Sequence, residues 1–144
     1  MIEDNRWRTK RGLGARLKRA AALALARGGN TDGALTILLS SDRTLRRLNV
    51  SFRGKDKATN VLSFPARRHD YLGDVAIGYG VTSREARDQK KSFADHATHL
   101  TVHGVLHLLG YDHETPRAAR IMEPLETSIL GELGIQDPYA RKAA

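Results

Sequence analysis

The sequence predicts an α/β fold, or α+β if helices and strands segregate, with a small mixed sheet of about four strands packed by helices. Two observations predict this class. Segments with helical spacing of apolar residues alternate with short apolar runs of strand length, and no internal repeat or low-complexity block interrupts them. A length of 144 residues fits one domain, which we expect to span residues 1–144.

The first half of the chain is predicted to alternate helix and strand. Apolar residues at helical spacing indicate an amphipathic helix from about Arg11 to Arg27, where the residues "GGN" end it. Residues 34–39, "ALTILL", form an apolar run typical of a buried strand. Ser41 or Asp42 can cap the helix that follows. That helix should turn three apolar residues toward the core: Leu45, Leu48 and Phe52.

Two further strands are predicted in the middle of the chain. "NVLSF" at 60–64 ends at Pro65, which has no N–H to donate to a sheet. "DVAIGY" at 74–79 alternates apolar residues on one face, and the residues between the two runs, "ARRHDYLG", indicate a loop. A fourth strand would have to come from the segment around Ile2 to Trp7.

The last part of the chain is predicted to be helical. "TSRE", which starts at Thr82, has the spacing of a capping box and begins either one long helix or two. Thr115 can cap a final helix that has Pro116 at its first position. Pro124 should kink that helix, because an interior proline removes a hydrogen bond. Its inward stripe is predicted to comprise Ile121, Leu125, Ile129 and Leu133.

Composition narrows the classes of function. Lysines and arginines number 24 against 16 aspartates and glutamates, and the net charge of +8 favours a polyanionic partner such as nucleic acid. No apolar run is long enough to span a membrane and the start lacks a secretory signal, so we expect a soluble, cytoplasmic protein without a membrane partner. Because the chain has no cysteine, histidine, aspartate or glutamate must hold any transition metal.

The stretch "HGVLHLLGYDH", residues 103–113, predicts a metal site. His103 and His107 are four residues apart, so on a helix both imidazoles can reach one ion with bonds of about 2.0–2.1 Å. Gly110 can adopt the left-handed conformation that ends a helix, which would return His113 toward the same ion. Three histidine ligands leave a fourth position open, as in catalytic zinc sites.

Neighbouring polar residues are given lesser roles. His99 and His107 are eight residues apart, about 12 Å along a helix, which is too far for a shared ion. We therefore interpret His99 as a packing residue or as a partner of a ligand. Asp112 either orients a ligand imidazole or caps the turn before His113. His69 and His96 are expected to be ordinary side chains.

Gly104 occupies the position where zinc proteases with the pattern H-E-x-x-H place the glutamate that serves as general base. Glycine takes no proton, so peptidase chemistry loses its main support. Lewis-acid catalysis at a phosphoryl oxygen needs no such base, and phosphodiester cleavage remains feasible. We hypothesise that the glycine leaves room for a bulky substrate.

The sequence resembles a known family, the YbeY-type endoribonucleases. The resemblance rests on "HGVLHLLGYDH", on "LNVSFRGKDKATNVLSFP" (48–65) and "LGDVAI" (72–77) before it, and on "MEPLE" (122–126) and "DPY" (137–139) after it. It extends from about Thr36 onward. The chain departs from the family pattern at Ala58, where proline is common, in the short basic loop "ARRHDY", and at Pro124 in the last helix.

The resemblance implies a metal-dependent endoribonuclease that prefers single strands and acts in 16S ribosomal RNA 3′-end maturation and ribosome quality control. It implies one zinc ion per chain, bound by His103, His107 and His113, and makes Arg53 a functional basic residue. A guanidinium can hold a phosphate through two hydrogen bonds, and Lys55 and Lys57 could contact neighbouring phosphates. The implied partners are single-stranded ribosomal RNA and the small ribosomal subunit, with ribosomal proteins or an assembly GTPase as further candidates.

Two other functions stay open from the sequence alone. One is a zinc peptidase, in which Glu114 would have to replace the missing base from outside the helix. The other is an RNA-binding factor for ribosome assembly whose zinc is structural, since a basic surface and an ordered metal can serve docking without turnover.

Overall fold

The computed structural model describes residues 1–30, 33–66, 68 and 70–138 of the chain. A short 3₁₀ helix, Asn5–Thr9, comes first. The elements after it, in chain order, are α1 Leu13–Arg27, β1 Ala34–Ser40, α2 Asp42–Arg53, β2 Val61–Pro65, β3 Tyr71–Gly78, α3 Tyr79–Asp88, α4 Phe93–Leu108 and α5 Pro116–Glu132.

The strands form a mixed sheet in the order β1-β3-β2. β1 runs parallel to β3, with Ile37 opposite Val75, whereas β2 runs antiparallel to β3, with Ser63 opposite Val75. β3 is the central strand, and Val75, Ala76 and Ile77 in succession are buried because helices cover both faces. This arrangement of helices on a small mixed sheet confirms the predicted fold class.

The described residues form a sheet of three strands, so the predicted fourth strand from Ile2 to Trp7 was wrong. Ile2 makes one isolated parallel bridge to Leu39. The pairing stops there because the Asp4 side chain accepts a hydrogen bond from the backbone N–H of Arg6 and starts the 3₁₀ helix. That turn buries Trp7, whose indole N–H donates to the Ser40 carbonyl at 2.9 Å.

Helices cover the two faces of the sheet unequally. α2 packs Leu45 against Leu62 and Ala76 on one face, where they form a small apolar cluster. α4 packs against β2 and β3 on the other face and is itself covered by α1, α3 and α5. The larger core therefore surrounds α4, and it includes Val102, Val105 and Leu106 with no exposed surface. Within the part of the chain that the structure describes, no helix is long and apolar enough to cross a membrane.

Two of the predicted helix caps are confirmed. The Ser41 hydroxyl accepts from the Thr44 N–H, and the Thr115 hydroxyl accepts from the Ala118 N–H with Pro116 at the start of α5. The capping box at Thr82 was wrong, because Thr82 lies inside α3 and its hydroxyl donates to the Gly78 carbonyl.

α3 and α4 are separate helices, which resolves the choice between one helix and two. Lys90, between them, has a φ of 56° and breaks the helical path. The Ser92 hydroxyl then caps α4 by accepting from the Asp95 N–H. Tyr79 begins α3 instead of ending the preceding strand.

The predicted inward stripes of α2 and α5 were partly wrong. Leu45 is buried, but Phe52 in the last turn of α2 is exposed. In α5 the buried face consists of Met122, Glu126, Ile129 and Leu130, while Ile121 faces solvent. α5 stays helical through Pro124. Whether the proline kinks the helix axis, as predicted, stays a prediction.

Candidate metal centre

α4 brings His103 and His107 together because they lie one helical turn apart on the same face. Their Nε2 atoms are 3.0 Å apart. Two nitrogens bound to one tetrahedral ion at about 2.1 Å lie about 3.4 Å from each other. A small outward adjustment of the two rings would therefore place both nitrogens at zinc-binding distance.

The end of α4 returns His113 to the same place. Gly110, with a φ of 98°, follows the last helical turn, its N–H donates to the His107 carbonyl, and the Tyr111 N–H donates to the Leu106 carbonyl. These two bonds define a Schellman motif, which requires a left-handed residue and favours glycine. The predicted turn at Gly110 is therefore confirmed.

The three histidines offer nitrogen atoms within 4.8 Å of one another. The ring centroid of His113 lies 5.0 Å from that of His103 and 5.2 Å from that of His107. Three imidazoles converging on one point is a donor set that zinc accepts, and protein side chains then fill three of its four positions. The residues present fit a catalytic zinc ion, and their role as ligands stays a prediction.

Glu126 of α5 contacts the histidine cluster from its buried side. Its side chain is fully buried, and Oε2 lies 2.9 Å from His103 Nδ1 and 2.7 Å from His99 Nε2. A carboxylate only accepts hydrogen bonds, so the proton of neutral His103 sits on Nδ1 and the lone pair on Nε2 points toward His107. Carboxylate–histidine pairs of this kind orient metal ligands.

Protonation in the site follows from these contacts. Burial alone would raise the pKa of Glu126, but its hydrogen bonds with His103 and His99 outweigh burial and hold the pKa well below the ordinary value. Burial, together with the neighbouring His103 and His113, lowers the pKa of His107 to about 4. His107 is therefore neutral at pH 7, which is the form that binds a metal.

His99 Nε2 lies 2.7 Å from Glu126 Oε2, the oxygen that also contacts His103, so His99 is linked to a candidate ligand through that carboxylate, in line with one of its two predicted roles. His99, His103 and Glu126 also have donor atoms close enough to surround an ion. We interpret that group as a hydrogen-bonded triad, because one carboxylate oxygen already accepts from both imidazoles.

An open cleft of about 810 Å³ runs along this face of α4. The three histidines line it together with Arg53 from the end of α2 and Ser63 from β2. Arg53 is exposed at the rim and could reach a ligand in the cleft. Lys55 and Lys57 are also exposed but do not line the cleft, so the structure brings Arg53, and not the lysines, to the histidines.

A second carboxylate lies farther along the cleft. Glu85 of α3 accepts hydrogen bonds from His96 Nε2 at 2.8 Å and from Asn60 Nδ2 at 3.0 Å. Burial alone would raise the pKa of Glu85, but these two bonds lower it overall. His96 is thus an ordinary buried side chain with a carboxylate partner, as expected. His69, given the same interpretation, lies outside the described residues, as does Tyr139 of the "DPY" motif.

Gly104 packs against the sheet, and the hypothesis that it leaves room for a substrate was wrong. A Cβ at this position would lie 2.6 Å from Val75 Cγ1 and 3.2 Å from Val61 Cγ2. Residue 104 is one step along the helix from His103, about 100° around the axis, and so faces the sheet instead of the cleft. Ser63 Oγ also donates to the Gly104 carbonyl at 2.8 Å, which holds α4 close to β2.

Asp112 has the second of its two predicted roles. Its Oδ1 accepts from the Glu114 N–H at 3.0 Å, which caps the turn around His113. The role of Glu126 was missed from the sequence, although "MEPLE" was noted as a motif. The available signal was an acidic residue on the apolar side of an amphipathic helix, where an unpaired carboxylate would be costly.

Comparisons with known proteins identify similar chains. A family model described as Endoribonuclease YbeY matches residues 4–134. The protein named Endoribonuclease YbeY from Rhodopseudomonas palustris is 48% identical over 150 residues, covering 97% of this chain and 79% of that protein. The one from Chelativorans sp. is 49% identical over 144 residues, covering 93% and 87%.

The fold is also similar to a solved structure. The solution structure of TM1509 from Thermotoga maritima superposes with a TM-score of 0.61 at 25% sequence identity, covering 92% of this chain and 89% of that one. The likeness extends over nearly the whole chain and supports the fold described above.

Proposed function

Because this chain belongs to the Endoribonuclease YbeY family, we propose that it is a zinc-dependent endoribonuclease that cleaves single-stranded RNA. The observation that carries the proposal is the convergence of His103, His107 and His113 in a cleft that Arg53 also lines. A metal-ligand set beside a cation that can bind phosphate is an arrangement that can catalyse phosphodiester cleavage.

His103, His107 and His113 would hold one zinc ion. Zinc bound there would supply Lewis-acid chemistry to a phosphodiester. The protein's own contribution begins with Glu126, which keeps the His103 proton on Nδ1 and fixes the ring orientation. His107 contributes a neutral imidazole at pH 7, since burial and the neighbouring imidazoles lower its pKa to about 4.

Arg53 would bind the phosphate to be cleaved. Its guanidinium offers a planar pair of N–H donors that matches two phosphate oxygens. As charge builds on those oxygens in the transition state, the same hydrogen bonds become stronger and lower the barrier. The exposed position of Arg53 at the cleft rim leaves room for a polymer to enter from solvent.

The proposed substrate is ribosomal RNA of the small subunit, with a role in 16S 3′-end maturation and ribosome quality control. The net charge of +8 supports a polyanionic partner. The small subunit, ribosomal proteins or an assembly GTPase would direct the enzyme to its site, because a basic surface provides affinity without sequence information. The proposed location is the cytoplasm.

The two other functions are less well supported. A peptidase needs a base next to the metal, and position 104 faces the sheet, so no side chain there could serve. An RNA-binding factor with structural zinc would be expected to close all four zinc positions with protein groups. His113 is exposed to the cleft, which favours an open position.

The test compares cleavage of a single-stranded ribosomal RNA fragment by the wild type and by Arg53→Ala, purified side by side and assayed for zinc. We expect about one zinc per chain in both proteins, as a single three-histidine site predicts, and cleavage by the wild type alone. Equal cleavage by both would indicate a contaminating nuclease or an uninvolved Arg53. If neither cuts but both bind RNA, the RNA-binding factor becomes the better interpretation.

A further inference from the structure

Phe52 is exposed beside the cleft although it is a large apolar residue. Its exposed fraction is 68%, and among the phenylalanines, tyrosines and tryptophans that the structure describes it alone is exposed. It occupies the last turn of α2, next in sequence to Arg53, which lines the cleft. An exposed ring next to a cleft-lining cation would bind a ligand that combines an apolar face with negative charge.

Phe64 supports Phe52 from beneath. The two ring centroids are 5.0 Å apart with an interplanar angle of 57°. Phe64 belongs to β2, an edge strand, and its neighbours Ser63 and Pro65 line the cleft. Because side chains alternate along a strand, Phe64 faces away from the cleft and toward α2. The aromatic pair therefore lies just around the sheet edge from the histidines.

The chain that follows Phe52 carries three cations, and its acidic residue, Asp56, is paired with Arg46. Arg53, Lys55 and Lys57 follow Phe52 in the chain and are exposed. Such a combination of aromatic face and nearby cations is how proteins bind single-stranded nucleic acid, in which bases stack on rings and phosphates contact cations. A protein partner would need an apolar patch of a few hundred Å², whereas one exposed ring has the size of one base.

We propose that Phe52, supported by Phe64, is a stacking site for one unpaired base of the RNA substrate, whose adjoining backbone passes Arg53 into the metal cleft. The proposal rests on the proposed function and adds the means by which single strands are selected. A base in a duplex is already stacked on both faces and could not reach the ring, so the site would accept unpaired nucleotides only.

The test uses a set of single-stranded RNA oligonucleotides that differ in one abasic nucleotide, moved along the sequence. Binding is read by stopped-flow anisotropy in the first seconds after mixing, and cleavage is read later in the same samples. For the wild type, we expect one abasic position to weaken binding by at least about fivefold, the lower end of base stacking on an aromatic ring. Phe52→Ala should remove that positional effect, and Phe52→Tyr should keep it.

Two variants serve as controls. Phe52→Leu keeps an apolar side chain without a ring, so it should behave like Phe52→Ala if stacking is the interaction. Val50→Ala removes another exposed apolar side chain, 45% exposed, from the same helix. Val50 is two residues from Phe52 and so points to another side of the helix, and its profile should match the wild type.

The outcomes separate this proposal from the proposed function. If Phe52→Ala shows the same abasic profile as the wild type, or Phe52→Leu retains the positional effect, the stacking site is overturned. If the wild type shows the positional effect in binding but never cuts, the stacking site stands and the endoribonuclease function fails. If the wild type cuts with no positional effect, the function stands and the stacking site is overturned.

Discussion

A single oxygen of Glu126, in a fully buried carboxylate, lies within hydrogen-bond distance of both His99 Nε2 and His103 Nδ1. His103 belongs to α4 and Glu126 to α5, so the orientation of a candidate metal ligand depends on contact between two helices. This dependence can be tested without measuring RNA cleavage.

Glu126→Gln should lower zinc affinity by about 10- to 100-fold, the usual cost of losing a carboxylate that orients a histidine ligand. Glutamine has nearly the same shape, but its amide does not enforce the Nδ1 proton on His103. Competition with a chromogenic chelator measures the affinity. Glu123→Gln on the same helix is the matched control, and an equal affinity for all three proteins would contradict the role of Glu126.

Gly104→Ala should destabilise the fold by about 1–3 kcal/mol, the usual cost of overpacking a core. The added methyl would lie 2.6 Å from Val75 Cγ1. Urea unfolding measures the change. Gly14→Ala in α1, where an added Cβ meets nothing within 4 Å, should be neutral or stabilising. The double variant Gly104→Ala, Val75→Ala should destabilise less than the two single changes add up to; strict additivity would count against a direct clash.

The zinc-free protein should lose stability as the pH falls from about 6.5 toward about 4. The native pKa of His107 is lowered to about 4, below its ordinary value of 6.5. Between these values the unfolded chain binds a proton at this residue that the folded chain does not, so acid favours unfolding. Urea midpoints at several pH values, measured with a chelator present, should fall less steeply for His107→Gln. Parallel curves for the two proteins would show that His107 does not carry the effect.

Arg53→Lys should reduce the cleavage rate by about 10- to 100-fold while zinc content stays the same, because a lysine keeps the charge but loses one of two charged hydrogen bonds. Arg43→Lys, an exposed change at the start of the same helix, controls for general effects on α2. Single-turnover cleavage of the RNA fragment measures the rate. A fully active Arg53→Lys protein would mean that charge alone, without the guanidinium geometry, is what the substrate requires.

Local spacing explains which parts of the site were predictable. His103 and His107 are related by one helical turn, and the Gly110 motif is built from bonds within five residues, so both follow from the sequence alone. Glu126 is 23 residues from His103, and only the packing of α5 on α4 brings the two together. The direction in which Gly104 faces likewise depends on where the sheet lies.

The errors in the fold have similar causes. Phe52 continues the stripe of Leu45 and Leu48, but in the last turn of α2 its ring is 68% exposed and contacts Phe64 instead of the core. The segment around Ile2 begins like a strand with one bridge to Leu39, but the Asp4 cap then turns it into a 3₁₀ helix. In the first case tertiary context overrode the local pattern, and in the second a single cap did.

Close packing at Gly104 also limits how this sequence can diverge. The helix that carries the histidines touches β3 at Val75 with no space for a methyl group. A larger residue at position 104 would push the histidine-bearing helix away from the sheet unless position 75 already held a smaller residue. A lineage should then change position 75 before position 104, or both together. We therefore expect these two positions to evolve as a pair, with the summed volume of their side chains varying less than either volume alone.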